Sequence, residues 1–194
     1  MLHPDTTLAW IDDTIGVGVI ATKPIPKGTI TWARDALDLT LTPDQVHKLG
    51  PLYAAHLDRY AYWERDGLVL CWDLGRFVNH HCEANCMAMG GAPFEVAVRD
   101  IAVGEQLTDE YGTLGLTETM PCACGSAECR GAVHPDDPDR HSDDWWARFR
   151  DGLSLVHGVE QPLWSLAGAA VERVISGPEP QPGPYVRRVP VMRA

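Results

Sequence analysis

Lysine is nearly absent from this chain. Only Lys23, Lys27 and Lys48 carry an ε-amine among 194 residues, and arginine supplies the rest of the basic side chains. Acidic residues outnumber basic ones, for a formal charge of −11. A surface of that sign repels phosphate backbones, which excludes general affinity for nucleic acid, and it suits either a basic partner or plain solubility. No run of about eighteen apolar residues occurs, so no membrane-spanning helix is expected. Met1-Leu2-His3-Pro4-Asp5 lacks the positive segment and apolar core of a signal peptide. These absences lead to the expectation of an intracellular, cytoplasmic protein, with a nuclear setting open for a eukaryotic source. Cysteine occurs six times. Three of the six sit as C-x-C-x4-C at Cys122, Cys124 and Cys129, which without an export signal points to reduced thiols and a metal rather than disulfides.

What is present is enough for a normal core. With 45% hydrophobic residues, the length suits one domain with an appendage. Residues 7–11 and 15–21 read as a hairpin around Asp12-Asp13-Thr14. Gly16 and Gly18, at alternate strand positions, mark a turn, a bulge or the close approach of a ligand. Thr42-Pro43-Asp44-Gln45 reads as a capped helix start stopped by Gly50-Pro51, and residues 52–60 as a second short helix. Residues 60–64 and 68–72 read as a hairpin around Arg65-Asp66-Gly67. Tyr60 and Tyr62 alternate to one face there, either as an aromatic pair or with one of them lining a substrate channel. Cys71 reads as a buried core thiol. Residues 134–139 have linker composition. Ser142 reads as the cap of a helix with Trp145, Phe149, Leu153 and Val156 on its apolar face. A second helix is expected from Pro162 to Gly177, with Leu163, Leu166, Ala170, Val171 and Val174 on one side. The tail is Pro-rich to Pro184, then basic at Arg187, Arg188 and Arg193, and is expected to be extended.

The densest chemistry lies in Arg76-Phe77-Val78-Asn79-His80-His81-Cys82-Glu83-Ala84-Asn85-Cys86, followed by Gly104-Glu105-Gln106-Leu107-Thr108-Asp109-Glu110-Tyr111-Gly112 and by Cys122-Ala123-Cys124-Gly125-Ser126-Ala127-Glu128-Cys129-Arg130-Gly131. In that order the three resemble R-F-[IV]-N-H-x-C-x-x-N-C, G-E-x-L-T-x-[DE]-Y and C-x-C-x4-C-x-G of SET-domain protein lysine methyltransferases with a post-SET zinc loop. The resemblance implies a mainly β fold with some α. Its small sheets surround a knot-like threaded active site, a rare arrangement among proteins.

The same resemblance implies S-adenosylmethionine as cofactor, with S-adenosylhomocysteine as product. Gly16, Val17 and Gly18 would lie along the methionine part, and Arg76, Phe77, Asn79, His80 and Tyr111 would complete the site. An amide suits adenine because both offer donor and acceptor on one edge. Read without the resemblance, Asn79 and His80 could equally tie a buried strand to neighbouring loops. Tyr111 is the implied catalytic residue, and Tyr60 a second candidate. Zn2+ would be held by Cys82, Cys122, Cys124 and Cys129, since a structural site needs four ligands. Cys86 is read as a packed thiol, although it could compete as the fourth ligand.

Two positions depart from the pattern. His81 stands where a small residue is usual. Asp109 stands where an aromatic residue shapes the channel, and an acid there could enlarge the channel or hold a cation. The implied division is a SET domain over 1–117 with a variable helical insert near 42–60, a zinc loop over 118–134, and a linker, two-helix extension and tail over 135–194. The implied activity is methyl transfer to a lysine of a protein or peptide, expected to be basic, without nucleic acid or membrane. The alternative is a catalytically weak or inactive binding module. Residues 1–15 contain no cysteine, so a Cys-rich segment ahead of Gly16 is not expected, and the sequence names no oligomeric state.

Overall fold

The computed structural model describes residues 1–64, 67–116 and 118–177. The turn expected at Arg65-Asp66 and the tail from 178 onward lie outside the described residues.

The chain opens as the expected hairpin of β1 (Thr6–Asp12) and β2 (Gly16–Ala21). Asp12 Oδ1 closes the turn by accepting from the N–H groups of Thr14 and Ile15, both at 2.7 Å. Gly16 supplies a left-handed φ of 80°. After β3 (Ile30–Ala33) and β4 (Leu39–Leu41) comes α1 (Pro43–Leu49), started by the sequence-predicted capping box. Thr42 Oγ1 accepts from Gln45 N–H at 3.3 Å, and Gln45 Oε1 accepts from Thr42 N–H at 2.8 Å. Thr42→Ala is therefore expected to lower stability by about 1 kcal/mol. Urea denaturation checks this, and an unchanged midpoint would mean that the cap contributes nothing.

α2 (Pro51–Tyr60) follows directly, then the hairpin strands β5 (Ala61–Glu64) and β6 (Gly67–Leu70). Tyr60 thus closes a helix instead of opening a strand, and it does not alternate with Tyr62. Its ring lies 5.6 Å from Phe77, whereas Tyr62 meets Trp32 edge-on at 6.3 Å. A 3-10 turn over Leu74–Phe77 leads into β7 (Asn79–His80), β8 (Cys86–Met87), β9 (Phe94–Ala97) and β10 (Gln106–Asp109). A second 3-10 turn over Tyr111–Leu114 precedes β11 (Met120–Pro121) and β12 (Ala132–Val133).

Two helices follow, α3 (Asp137–Leu153) and α4 (Trp164–Ser176). The cap of α3 is Asp136, six residues before the expected Ser142. Asp137 Oδ2 accepts from His134 N–H at 3.0 Å, and Pro138 fits the first turn because no partner exists there for its missing N–H. The linker reading of 134–139 shortens accordingly.

Among the described residues the strands form sheets ordered β1-β2-β10-β7, β3-β9-β8, β4-β6-β5 and β11-β12. The apolar face of α3 packs as expected: Trp145, Phe149, Leu153 and Val156 are buried with Ile30, Met87, Phe94 and Val96. The two helices therefore cover one face of β3-β9-β8. α4 contributes Ala167, Ala170 and Val171 to that core, while Leu166 stays 41% exposed. The opposite face joins Val19 of β2 and Leu107 of β10 in a second cluster with Trp32, Cys71, Cys86 and Ala97. A third cluster seats α1 and α2 on β4 and β6 through Val46, Leu57, Leu41 and Leu68. No helix among the described residues is long and apolar enough to cross a membrane.

Candidate active site and thiol cluster

β10 is the strand that assembles the site. It pairs antiparallel with β2, Gln106 against Ile20 and Leu107 against Val19, and parallel with β7, Thr108 against Asn79 and Asp109 against His80. Gly16, Val17 and Gly18 are thereby brought to Asn79 and His80. The Asn79 amide donates to Val17 O at 3.0 Å and to Gln106 Oε1 at 2.8 Å. A Cβ at Gly18 would sit 2.3 Å from that Gln106 oxygen and 2.9 Å from Asn79 Nδ2. One glycine thus serves a turn and the other admits two of the protein's own side chains. A Cβ at Gly16 would meet open space.

Asn85 binds the 76–86 segment to β10. Its Oδ1 accepts from Thr108 N–H at 2.8 Å, and its Nδ2 donates to Gln106 O at 2.8 Å and to Glu105 Oε1 at 3.2 Å. It is fully buried. The sequence shows Asn85 only as one letter of a motif, because nothing local marks it as a clamp.

Arg76 and Phe77 sit in the 3-10 turn packed against β2. The Arg76 guanidinium donates to the carbonyls of Asp73 and Trp72, and the Phe77 ring packs into the second cluster beside Tyr60. Tyr60 also meets His56, at 4.8 Å between ring centroids. His80 is buried, with Tyr111 N–H 3.2 Å from its Nδ1 and Cys82 Sγ 3.5 Å from its Nε2. Burial, and then the Arg130 charge, hold its pKa below the usual imidazole value against the pull of Glu110. The Tyr111 hydroxyl donates to Val78 O at 2.7 Å. Burial, reinforced by Asp109 and Glu95, pushes this phenol well above its ordinary range, so it acts as a neutral donor.

The four thiols that the resemblance implies, Cys82, Cys122, Cys124 and Cys129, lie with all sulfurs within 4.8 Å of one another. Two edges measure 3.8 Å, Cys82 to Cys122, and 3.7 Å, Cys122 to Cys129. A tetrahedral zinc with bonds of about 2.3 Å requires sulfur separations of about 3.8 Å, so the donor set and its spacing suit that ion. The N–H groups of Arg130 and Gly131 point at Cys82 and Cys129 sulfurs, each at 3.4 Å. Burial works against ionisation of Cys124, but the backbone hydrogen bonds associated with Cys82 and Ser126 and the neighbouring thiols bring its pKa to about 7. Cys86 lies apart, buried, against Asn85 Oδ1 at 3.4 Å.

Arg130 links the thiol loop to everything around it. Its guanidinium grips Glu110 through both oxygens at 2.7 and 2.8 Å, approaches Asp137 at 3.6 Å and lies over the Trp145 ring. Glu110 in turn accepts from Gly112 N–H at 2.9 Å, which caps the 3-10 turn that begins at Tyr111. The loop, the tyrosine turn and α3 are thus one connected unit. In the sequence, Arg130 carried no more signal than its place after Cys129.

Residues 16–112 match the family model described as "SET domain". Over 70 residues, 31% of the chain, it is 42% identical to "Histone-lysine N-methyltransferase, H3 lysine-4 specific" of Chaetomium globosum, covering 6% of that protein. It is 32% identical over 127 residues to "Histone-lysine N-methyltransferase trithorax" of Drosophila virilis, covering 59% of this chain and 3% of that one. "Histone-lysine N-methyltransferase ash1" of Drosophila melanogaster is 31% identical over 131 residues, 61% of this chain and 6% of that protein. The chain therefore matches only a small part of the length of these curated relatives.

Proposed function

The chain belongs to the SET-domain family, and from that premise we propose that it is a methyltransferase that uses S-adenosylmethionine to methylate the ε-amine of a lysine in a histone or another basic protein. The observation that carries this reading is the convergence, through β10, of Gly16, Val17, Gly18, Asn79, His80 and Tyr111 beside the four-thiol loop.

In this reading Gly16, Val17, Gly18, Arg76, Phe77, Asn79, His80 and Tyr111 hold the cofactor, which supplies an electrophilic methyl group on a sulfonium. Cys82, Cys122, Cys124 and Cys129 hold a structural Zn2+ that keeps the loop closed over the site. Tyr111 orients the amine through its hydroxyl, and Tyr60 forms part of the channel wall. A lysine amine has an ordinary pKa near 10.4, so a buried aromatic channel favours the neutral form that the reaction needs. Alignment inside a closed site then supplies much of the rate. The SET unit runs over 1–117, the zinc loop over 118–134 and the helical extension beyond, in a cytoplasmic or nuclear setting. The buried Asp109 in place of an aromatic favours one alternative, a SET-fold binding module without turnover.

The test is a thermal melt of zinc-replete protein with S-adenosylmethionine, together with transfer of labelled methyl groups to recombinant histones. Ligand at about a hundred times its dissociation constant adds about 2.7 kcal/mol, or roughly 5–10 °C for a chain of this size. Asn79→Ala should lose that shift. A shift without methyl transfer would select the binding module, and no shift in either protein would remove the cofactor site.

A further inference from the structure

Two carboxyls enter the second cluster, which otherwise holds apolar side chains, aromatic rings and neutral thiols. The pleat places them there. In the β3–β9 pair, Ile30 faces Val96 and Ala33 faces Phe94, all on the side covered by α3 and α4. Trp32 and Glu95, paired with each other, take the opposite side, as do Cys86 and Ala97 of the β8–β9 pair. On β10, Leu107 points into this same cluster, and the period of two sets Asp109 beside it, two residues before Tyr111.

Among the described residues neither acid has an ion-pairing partner, and of the cations only the Met1 ammonium acts on Glu95, at longer range. Glu95 is half-buried and makes no hydrogen bond among the described residues. Asp109 is 4% exposed and spends Oδ1 on Glu110 N–H at 2.7 Å. Trp32, across from Glu95, adds an indole N–H that is buried without an acceptor. Uncompensated carboxylates in such surroundings are unfavourable unless they keep a proton or receive a cation. The rings of Trp32 and Tyr62 favour a cation too, and among candidate cations a primary ammonium on a long stem is the one that Tyr111 would also meet.

We propose that Asp109, backed by Glu95, receives the ε-ammonium of the substrate lysine beside Tyr111 and takes its proton. The proposal rests on the methyltransferase reading. In the step an N–H bond of the ammonium breaks and leaves its electron pair on nitrogen, while an O–H bond forms on Asp109. Ammonium and carboxylate become amine and carboxylic acid, and Glu95 offers the next carboxyl on the proton's way to solvent. The nitrogen lone pair is then available for the methyl group. An aromatic residue at this position cannot perform that step.

The groups facing Asp109 fit an acceptor at neutral pH. Burial, and the charge of Glu110 next along the chain, raise Asp109 to about 7 against the Glu110 N–H bond. Burial and then Asp109 raise Glu95, with the Met1 ammonium acting in the other direction. Cys86 of β8 and the Tyr111 phenol are both raised by burial and stay protonated, and His80 and His81 meet only the Asp109 carbonyl. An acceptor near the working pH outperforms an ordinary carboxylate.

The experiment measures kcat and kcat/KM from about pH 6 to about pH 10 with histone H3 as the probe, for the wild type, Asp109→Asn and Glu95→Gln. Loss of the acceptor should lower kcat of Asp109→Asn about a hundredfold at neutral pH, while its S-adenosylmethionine affinity stays within about twofold. Its rate should keep rising toward the lysine's own titration near 10.4, whereas the wild type levels off above about 7. Glu95→Gln should lose about tenfold. Coincident pH profiles in an active wild type overturn the proposal alone.

A wild type that transfers no methyl group overturns the methyltransferase reading. The ammonium site is then judged by binding: an H3 peptide should bind more tightly than its norleucine counterpart, and Asp109→Asn should abolish the preference. Equal affinities in the wild type overturn the site whatever the turnover. Folding is controlled by melting at about pH 8. Native Asp109 keeps its proton up to about 7 while the unfolded group titrates at 3.8, so wild-type stability declines as pH rises between those values. Asp109→Asn should accordingly melt no lower than the wild type.

Discussion

Replacing Tyr111 by phenylalanine is expected to slow methyl transfer about a hundredfold to a thousandfold, the range for removing one preorganised donor, and to leave cofactor affinity within about twofold. The variant loses one oxygen atom. That hydroxyl donates to Val78 O at 2.7 Å, and its burial keeps it protonated, so it is a fixed donor and not a titrating group. The ring itself, 5.5 Å from His80, remains to fill its place. Val78 O loses a partner, with an expected cost of about 1–3 kcal/mol in stability. Single-turnover rates and calorimetric binding of S-adenosylmethionine separate the outcomes. Unchanged turnover would refute the assigned role, and joint loss of turnover and binding would make Tyr111 a structural residue.

Removing the metal is expected to have the second large effect. Small zinc sites contribute apparent binding energies of about 10–16 kcal/mol, and zinc held by the four thiols would spend that energy on ordering a loop anchored by little regular structure beyond the short β11–β12 pair. Chelation, or Cys124→Ser, should release zinc, expose backbone amides over 122–131 to hydrogen exchange and abolish turnover. The disturbance should reach Tyr111 by two routes, through Cys82 and His80 and through Arg130 and Glu110. The β1–β2 hairpin, held by its own ladder, should keep its protection. Full zinc content in Cys124→Ser, read by mass spectrometry of the intact protein, would sink the ligand assignment.

Local features were legible where local chemistry decides. Thr42 with Gln45 announced α1 because both halves of the capping box lie within one turn. Trp145, Phe149, Leu153 and Val156 announced a buried face because helical spacing repeats within α3. Boundaries were less legible. Asp137 extends α3 backwards through partners on His134, Arg130 and Arg140, and no window around Ser142 contains that information. Tyr60 looked like a strand residue because Tyr62 follows it at a spacing of two, yet the helix begun at Pro51 runs on to include it.

The glycines show the same division. Their alternation marked an unusual backbone, but whether a ligand or a side chain lies close is a question about Asn79 and Gln106, far along the chain. Glu95 gave a signal that was open to reading, an acid among Phe94, Val96 and Ala97. Its meaning depends on Asp109 arriving on the same face from another sheet.

The sequence by itself determined the family, the donor groups and their chemical types: three motif blocks in order, a tyrosine, an amide and thiols at zinc-ligand spacing. Only the tertiary structure decided which of them meet. Asn79 reaches Val17 across 62 residues because β10 lies between their strands, and Cys82 rather than Cys86 joins the loop thiols because Cys86 faces the core. Side-chain type is a property of one residue, whereas proximity is set by strand register and by which face each residue takes, and a shift of one residue reverses the face.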